Sequence, residues 1–150
     1  MSSTILGGFA VKDLDFDALS TLHSSCFSEP WDSNSLKNLC ASEQNITFVS
    51  LNENKVIEAL LILQCSGEDA DILTFCVHPD KQKQGIGKNL LNTAFELLKS
   101  YGTIQIFLEV SDVNKNAYRT YINAGFTVVG VRKKYYNNQF DALTMKKELA

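Results

Sequence analysis

Residues 82–88 read QKQGIGK, a glycine-containing loop between two apolar segments. The apolar run Ile72–Val77 precedes the loop, and a breaker at residues 78–80, with a central proline, separates the two. After the loop, apolar residues recur at spacings of three and four from Ile86 to Leu98, which is typical of an amphipathic helix. The sequence therefore predicts a strand, a glycine loop and a helix, in that order.

The loop has the chemistry of a phosphate-binding site. Gly85 and Gly87 leave the first backbone N–H groups of the helix without shielding side chains. Free N–H donors and the positive end of the helix dipole favour an anion, and Lys81, Lys83 and Lys88 add positive charge. The spacing of the glycines matches neither a P-loop nor a dinucleotide-binding fingerprint. The loop instead has the pattern Q-x-x-G-x-G, from Gln82 to Gly87. A tight strand-to-helix turn with solvated lysines explains the same spacing about equally well.

Several motifs together resemble one family. Q-x-x-G-x-G after a strand that ends in V-x-P is similar to the acetyl-CoA pyrophosphate loop of the GNAT family of N-acetyltransferases. Residues 108–110 (LEV), Asn114 and residues 121–126 (YINAGF) resemble further motifs of that family in the same order. Residues 27–31 (FSEPW) and 132–136 (RKKYY) point to its ribosomal-protein-alanine N-acetyltransferase branch, the RimI type. The resemblance covers nearly the whole chain.

Apolar patterning predicts a mixed, mostly antiparallel sheet with helices on both faces. Strands are expected at residues 5–11, 45–51, 56–64, 70–77, 103–110, 126–132 and 140–147. Helices are expected after Asp13 or Asp15, after Asp32 or Ser33, from the glycine loop to Ser100, and after Asn114. The strand–loop–helix–strand unit is a βαβ crossover, so the strands at 70–77 and 103–110 should be parallel at the centre. The resemblance implies the same architecture, the α/β (α+β) fold of the GNAT acyl-CoA N-acyltransferases.

Bulk composition limits the function classes. The chain has 150 residues, the size of one domain, and we expect residues 1–150 to form a single N-acetyltransferase domain. A net charge of −3 gives no sign of a nucleic-acid or membrane-surface binder. Residues 1–4 show no basic start of a signal peptide, so a cytoplasmic location is expected. The four cysteines are far apart and have no histidines at metal spacing, which favours buried free thiols and no metal site.

Acetyl transfer from a thioester needs a deprotonated amine and a proton for the departing thiolate. An α-amine has a pKa of roughly 7.7–8.0, so one carboxylate suffices as base. Glu109 is the candidate base, because a charge near the end of an apolar strand is costly without a task or a partner; an edge carboxylate or a salt bridge is the alternative. Tyr121 is the candidate acid, since a phenol stays protonated at neutral pH. Packing under the sheet is its alternative role, and Tyr118 competes for the acid role from the same helix.

The resemblance implies binding roles for further residues. The expected acetyl-CoA contacts are the backbone of Phe75, Cys76 and Val77 for the pantetheine, the loop residues Lys83, Gln84, Gly85, Ile86, Gly87 and Lys88 for the pyrophosphate, and Asn114. Asn114 also suits a helix N-cap, and both roles can hold together. Trp31 and Tyr136 are expected to border the peptide acceptor, although a partly buried surface aromatic explains Trp31 as well.

The resulting interpretation is an enzyme that acetylates the N-terminal α-amine of a protein in a ternary complex with acetyl-CoA. By resemblance, the expected acceptor is a ribosomal protein with N-terminal alanine, and no metal, nucleic acid or membrane is expected to take part. Ser111 and Asp112 stand where this branch often carries an arginine after LEV, which leaves the acceptor open. A small-molecule amine or a lysine side chain is the alternative acceptor. A non-catalytic acyl-CoA-binding module is the alternative of another class.

Overall fold

Seven strands and four α-helices follow one another along the described residues. The structure is a computed structural model that describes residues 3–136 and 139–149, without the side chains of residues 134–136. In chain order the elements are β1 (Thr4–Phe9), α1 (Phe16–Cys26), α2 (Ser33–Ala41), β2 (Asn45–Leu51), β3 (Ile57–Ser66), β4 (Asp69–Val77), a 3₁₀ turn (Pro79–Lys81), α3 (Ile86–Ser100), β5 (Gln105–Ser111), α4 (Lys115–Asn123), β6 (Thr127–Tyr136) and β7 (Phe140–Glu148). Every predicted strand and helix is present.

The ends of some elements differ from the prediction. β1 stops at Phe9 because Ala10 has a φ of 50°, a left-handed conformation that a strand cannot continue through. β6 runs to Tyr136, four residues beyond the predicted end at Arg132. The predicted loop at residues 135–139 is therefore partly strand, and its residues 137 and 138 lie outside the described part of the chain.

Side-chain caps decide where three helices begin. The Asp15 carboxylate accepts the backbone N–H of Ala18 at 3.0 Å, so Asp15 caps α1. The Asp32 carboxylate accepts the N–H of Ser35 at 2.7 Å and caps α2. Asn114 caps α4 in the same way. Each side chain satisfies an N–H group that has no partner inside its helix, which is why these sequence signals located the starts correctly.

The strands form one sheet in the order β1-β2-β3-β4-β5-β7-β6. β4 and β5 are parallel, as predicted, and the other neighbouring pairs are antiparallel. The helices lie on both faces of the sheet. Side chains alternate along β3, so Leu61 and Leu63 face one side while Leu60 and Ile62 face the other.

We call the two sides of the sheet the α3 face and the α1 face. On the α3 face, α3 and α4 bury a cluster that includes Phe48, Leu61, Leu63, Leu90, Leu91, Leu98, Ile106, Leu108, Tyr121 and Phe126. On the α1 face, α1 and α2 pack against β2, β3 and β4. Their cluster includes Leu19, Leu22, Leu36, Cys40, Val49, Leu60, Ile62 and Cys76. No helix within residues 3–136 and 139–149 is long and apolar enough to cross a bilayer.

Candidate active site

The central parallel pair opens into a gap. β4 and β5 pair through only three residue pairs, and the last is Asp71 with Phe107. β4 continues to Val77 beyond that point, still paired with β3 on its other edge. From residue 72 to 77, β4 therefore presents an edge that no strand of the described residues pairs with. Alternate backbone N–H and C=O groups along such an edge can bind an extended ligand. This gap at the middle of the sheet is the candidate site.

The glycine loop closes one end of the gap. Lys83 and Gly85 have positive φ angles of 63° and 86°, so the chain turns sharply before α3 begins at Ile86. In the part of the chain that the structure describes, no side-chain hydrogen bond caps the start of α3, so the first N–H groups of this helix have no side-chain partner there. Lys83 and Lys88 are exposed, and neither makes an ion pair with a carboxylate in the described residues. The loop therefore offers free donors and positive charge to an anion.

Gly87 is needed for a different reason from Gly85. A Cβ atom built at Gly87 would lie 3.1 Å from Phe75 Cζ and 3.1 Å from Val77 Cγ2. The first turn of α3 thus lies directly on the free part of β4. The glycine loop and the β4 edge are in contact through Gly87, so one extended ligand could contact both.

The carbonyl of Val77 already has two partners in the protein. The Cys26 thiol donates to it at 3.3 Å, and the Gln82 amide donates to it at 3.1 Å. The Cys26 bond ties the end of α1 to the end of β4. The Gln82 bond explains physically why the first residue of the Q-x-x-G-x-G pattern is a glutamine, because its amide orients the start of the loop.

Glu109 lies on the α1 face at the gap. Its neighbours Leu108 and Val110 point into the cluster on the α3 face, so Glu109 points the opposite way. Its carboxylate contacts Arg132 of β6, with Arg132 Nε 3.2 Å from Glu109 Oε1. Burial and the neighbouring carboxylates of Asp69 and Glu109 raise the pKa of Asp71, which is the last β4 residue before the gap. The Glu109–Arg132 ion pair and the Asp71 carboxylate thus lie at the mouth of the gap.

Tyr121 lies on the other face of the sheet. It is 7% exposed and packs among the residues of the α3 face. Its ring centroid is 6.0 Å from that of Phe75 on the free part of β4 and 5.7 Å from that of Phe126. Tyr118 is half-buried on the same helix. The ring of Tyr121 therefore packs under the sheet and also lies beside Phe75, which lines the gap. The acid role of Tyr121 stays a prediction.

Asn114 lies at the start of α4. Its side-chain oxygen accepts the N–H of Ala117 at 3.2 Å, which is the N-cap role, and the residue is otherwise exposed. Its exposed side-chain NH2 group could also donate to a ligand. Tyr136, the second predicted acceptor contact, belongs to β6, but its side chain lies outside the described residues.

Trp31 is fixed by a histidine that the sequence analysis did not single out. The imidazole of His23 stacks on the Trp31 indole, with ring centroids 4.9 Å apart and an interplanar angle of 17°. His23 Nδ1 accepts the backbone N–H of Trp31 at 3.1 Å. The other ring nitrogen lies 3.0 Å from Thr74 Oγ1 on β4. Residues 27–32 connect α1 to α2 and are called the Trp31 loop. This loop is therefore attached to the free part of β4 through His23.

All four cysteines are free. Cys40 and Cys76 are buried, while Cys26 and Cys65 are half-buried, so the prediction of buried thiols holds fully for two of them. Burial raises the pKa of Cys40 and Cys65, and a hydrogen bond with the Cys26 thiol together with burial raises the pKa of Cys76. Raised pKa values keep these three side chains as thiols. Among the described residues, no three potential metal ligands come together.

The family model described as "Acetyltransferase (GNAT) family" matches residues 16–126. That range is most of the chain and contains the glycine loop, the gap between β4 and β5, Glu109 and Tyr121. The chain belongs to the acetyltransferase (GNAT) family, and it is an N-acetyltransferase. Members of this family use acetyl-CoA.

Its relatives include several proteins of one branch of that family. The chain is 29% identical over 128 residues to the [ribosomal protein bS18]-alanine N-acetyltransferase of Haemophilus ducreyi, covering 84% of this chain and 86% of the relative. It is 27% identical over 141 residues to the Escherichia coli K12 protein of the same name, covering 91% and 93%. A crystal structure of the ribosomal-protein-S18-alanine N-acetyltransferase from E. coli matches with a TM-score of 0.88 and 25% identity, covering 99% of this chain and 95% of that one.

Proposed function

We propose that this enzyme transfers the acetyl group of acetyl-CoA to the N-terminal α-amine of a protein, with N-terminal alanine of a ribosomal protein as the acceptor. The observation that carries this proposal is the early end of the β4–β5 pairing, which leaves a gap with Glu109 on one face and Tyr121 on the other. The names of the relatives support the choice of acceptor. A ribosomal acceptor implies that the reaction takes place in the cytoplasm.

The donor fits the loop and the β4 edge. The pyrophosphate of acetyl-CoA would be held by the backbone N–H groups of residues 83–88, with Lys83 and Lys88 nearby. The pantetheine would run along Phe75–Val77 as an added strand. The close contact of Gly87 with β4 supports this arrangement, because it brings both binding surfaces together. A backbone N–H of this edge would polarise the thioester carbonyl.

The two faces of the sheet suit the two halves of the chemistry. The acceptor amine would approach from the α1 face, where Glu109 takes its proton directly or through a water molecule. The neutral amine nitrogen then forms a bond to the carbonyl carbon, its second proton passes to water, and the carbon–sulfur bond breaks to leave the amide. The thiolate leaves on the α3 face, where Tyr121 donates its phenolic proton. Acetylated protein and CoA are the products, and solvent restores the proton balance of the two side chains.

A peptide acceptor would lie against the α1 face beside Trp31. The carboxylates of Glu109 and Asp71 attract an α-ammonium group at the mouth of the gap, which raises its local concentration before it loses its proton. Asn114 would contact acetyl-CoA, and Tyr136 would border the peptide acceptor. These roles follow from the family resemblance and are compatible with the positions of the two residues in α4 and β6.

The test compares acceptors on the purified enzyme. CoA release is measured with acetyl-CoA and a peptide that carries the N-terminal sequence of ribosomal protein bS18, and the product is mapped by mass spectrometry. We expect acetylation at the α-amine and none on internal lysines. The same peptide with a blocked N-terminus is the control and should give no CoA release above background. Acetylation of lysine side chains or small amines at a higher kcat/KM would refute the proposed acceptor.

A further inference from the structure

His23 is a buried titratable residue that the proposed chemistry does not use. It lies in α1 and is 3% exposed, yet both of its ring nitrogens have partners. A buried polar side chain with two satisfied hydrogen bonds and a stacked aromatic ring is costly to rearrange. The arrangement therefore holds three parts of the protein together, namely α1, the Trp31 loop and β4.

The hydrogen bonds define the protonation of the ring. A backbone N–H can only donate, so Nδ1 of His23 must be the acceptor for Trp31 and carries no proton. Nε2 then carries the proton and donates to the Thr74 hydroxyl. Burial lowers the pKa of His23, which agrees with this neutral form. An imidazolium in this place would turn Nδ1 into a second donor facing the Trp31 N–H.

Thr74 reaches His23 because β4 is irregular at that point. Leu63 pairs with Ile72 and Ile62 pairs with Thr74, so Leu73 is an extra residue in β4. Such a bulge reverses the alternation of side chains that follow it. As a result Thr74 points to the α1 face, where His23 lies, and it does so within the free part of β4 just beyond the last pair with β5.

We propose that His23 is a positioning residue that fixes Trp31 at the edge of the gap and thereby sets the affinity for the acceptor. This inference rests on the proposed function, because it needs Trp31 to border the acceptor. His23 touches neither the donor loop nor Glu109 in the described contacts, so it should leave donor binding unchanged. Its effect should therefore appear in the KM of the acceptor and not in the KM of acetyl-CoA.

Two substitutions separate the contacts of His23. His23→Gln keeps a donor for Thr74 and loses both the stack on Trp31 and the acceptor for its N–H. Thr74→Val keeps the stack and removes the attachment to β4, so it tests the proposal even where His23→Gln does not fold. Ser24→Gln is the matched control, because Ser24 is the next residue in α1 and is exposed. Loss of one buried hydrogen bond should raise the acceptor KM about 10-fold.

Tryptophan fluorescence provides an independent readout. The chain contains a single tryptophan, so its emission and its quenching by acrylamide report on the Trp31 loop alone. We expect stronger quenching in both variants than in the wild type and the Ser24→Gln control. We also expect a raised acceptor KM in both variants and, in His23→Gln, which leaves β4 itself unchanged, an unchanged acetyl-CoA KM.

Three results would overturn the proposal. One is unchanged quenching in a folded His23→Gln protein. Another is an unchanged acceptor KM despite stronger quenching, and the third is an equal rise in both KM values of His23→Gln. If the wild type acetylates no peptide, the proposed function fails by itself, and the quenching comparison still decides whether His23 holds the loop.

Discussion

Substitution of Gly87 by alanine tests the contact between the glycine loop and the β4 edge. The added Cβ would lie 3.1 Å from both Phe75 Cζ and Val77 Cγ2, which is a few tenths of an ångström too close. Neither neighbour can move freely, because Phe75 and Val77 are paired to β3 and pack against the cluster on the α3 face. Either α3 or β4 must therefore shift at the place where we expect the pantetheine.

Two opposing effects decide the change in stability. Overpacking of a well-packed contact costs about 1–3 kcal/mol, while alanine in a helix is favoured over glycine by about 0.5–1 kcal/mol. Over nearly all of these ranges the first effect is larger, so Gly87→Ala should lower the free energy of unfolding by up to about 2.5 kcal/mol. For a chain of this length, that loss lowers Tm by up to about 10 °C.

Gly85 provides a matched comparison two residues earlier. It has a φ of 86° and no atom within 4 Å of an added Cβ, so alanine there meets backbone strain but no clash. Asparagine tolerates this left-handed conformation. Gly85→Asn should therefore be more stable than Gly85→Ala, whereas Gly87→Asn should be no better than Gly87→Ala.

Urea unfolding and the KM of acetyl-CoA are the two measurements for this prediction. We expect Gly87→Ala to lose stability and to show a severalfold rise in the acetyl-CoA KM, since the β4 edge is displaced. A Gly87→Ala protein with wild-type KM and increased stability would refute the reasoning. It would mean that α3 does not press on β4 and that the loop and the strand edge are independent.

Further predictions concern the Glu109–Arg132 pair, the two tyrosines of α4 and the protonation of His23. Glu109→Gln should lower kcat by about 100-fold or more. Arg132→Met should lower kcat in the wild type but add little in the Glu109→Gln background. If the effects of the two substitutions on kcat add fully in this double-mutant cycle, Arg132 does not act through Glu109. Tyr121→Phe should slow turnover without weakening acetyl-CoA binding, while Tyr118→Phe should leave kcat near the wild-type value. A larger fall in kcat for Tyr118→Phe than for Tyr121→Phe would assign the general acid to Tyr118. Burial lowers the pKa of His23 below 6.5, so its neutral form contributes stability that is lost only as the pH falls through that lowered value. Acrylamide quenching of the tryptophan should therefore stay constant from neutral pH to 6.5 and increase only in more acidic buffer. A change in quenching centred above pH 6.5 would contradict the buried neutral ring.

Local signals in the sequence predicted much of the fold. The caps at Asp15, Asp32 and Asn114 work through neighbours three residues away, so the chain itself contains the information. The parallel pairing of β4 and β5 followed from the handedness and length of a βαβ crossover. Alternation along β5 placed Glu109 opposite the core side chains, as the structure has it.

The remaining features depend on contacts between distant parts of the chain. Spacing did not show that the β4–β5 pairing ends after three pairs, because strand divergence depends on what packs between the strands. The bulge at Leu73 has no glycine or proline to mark it. The stack of His23 on Trp31 joins a helix to a loop, and the contact of Arg132 with Glu109 crosses from β6 to β5. A single sequence gives no direct signal for such pairs.

A crystal structure of the enzyme with bound CoA tests the central claim most directly. We predict that the diphosphate oxygens accept hydrogen bonds of about 2.7–3.2 Å from the backbone N–H groups of residues 83–88. The thiol should lie in the gap between β4 and β5, with Tyr121 on its own face and Glu109 on the opposite face. A diphosphate bound elsewhere, or a thiol outside the gap and beyond reach of both side chains, would contradict the proposed mechanism.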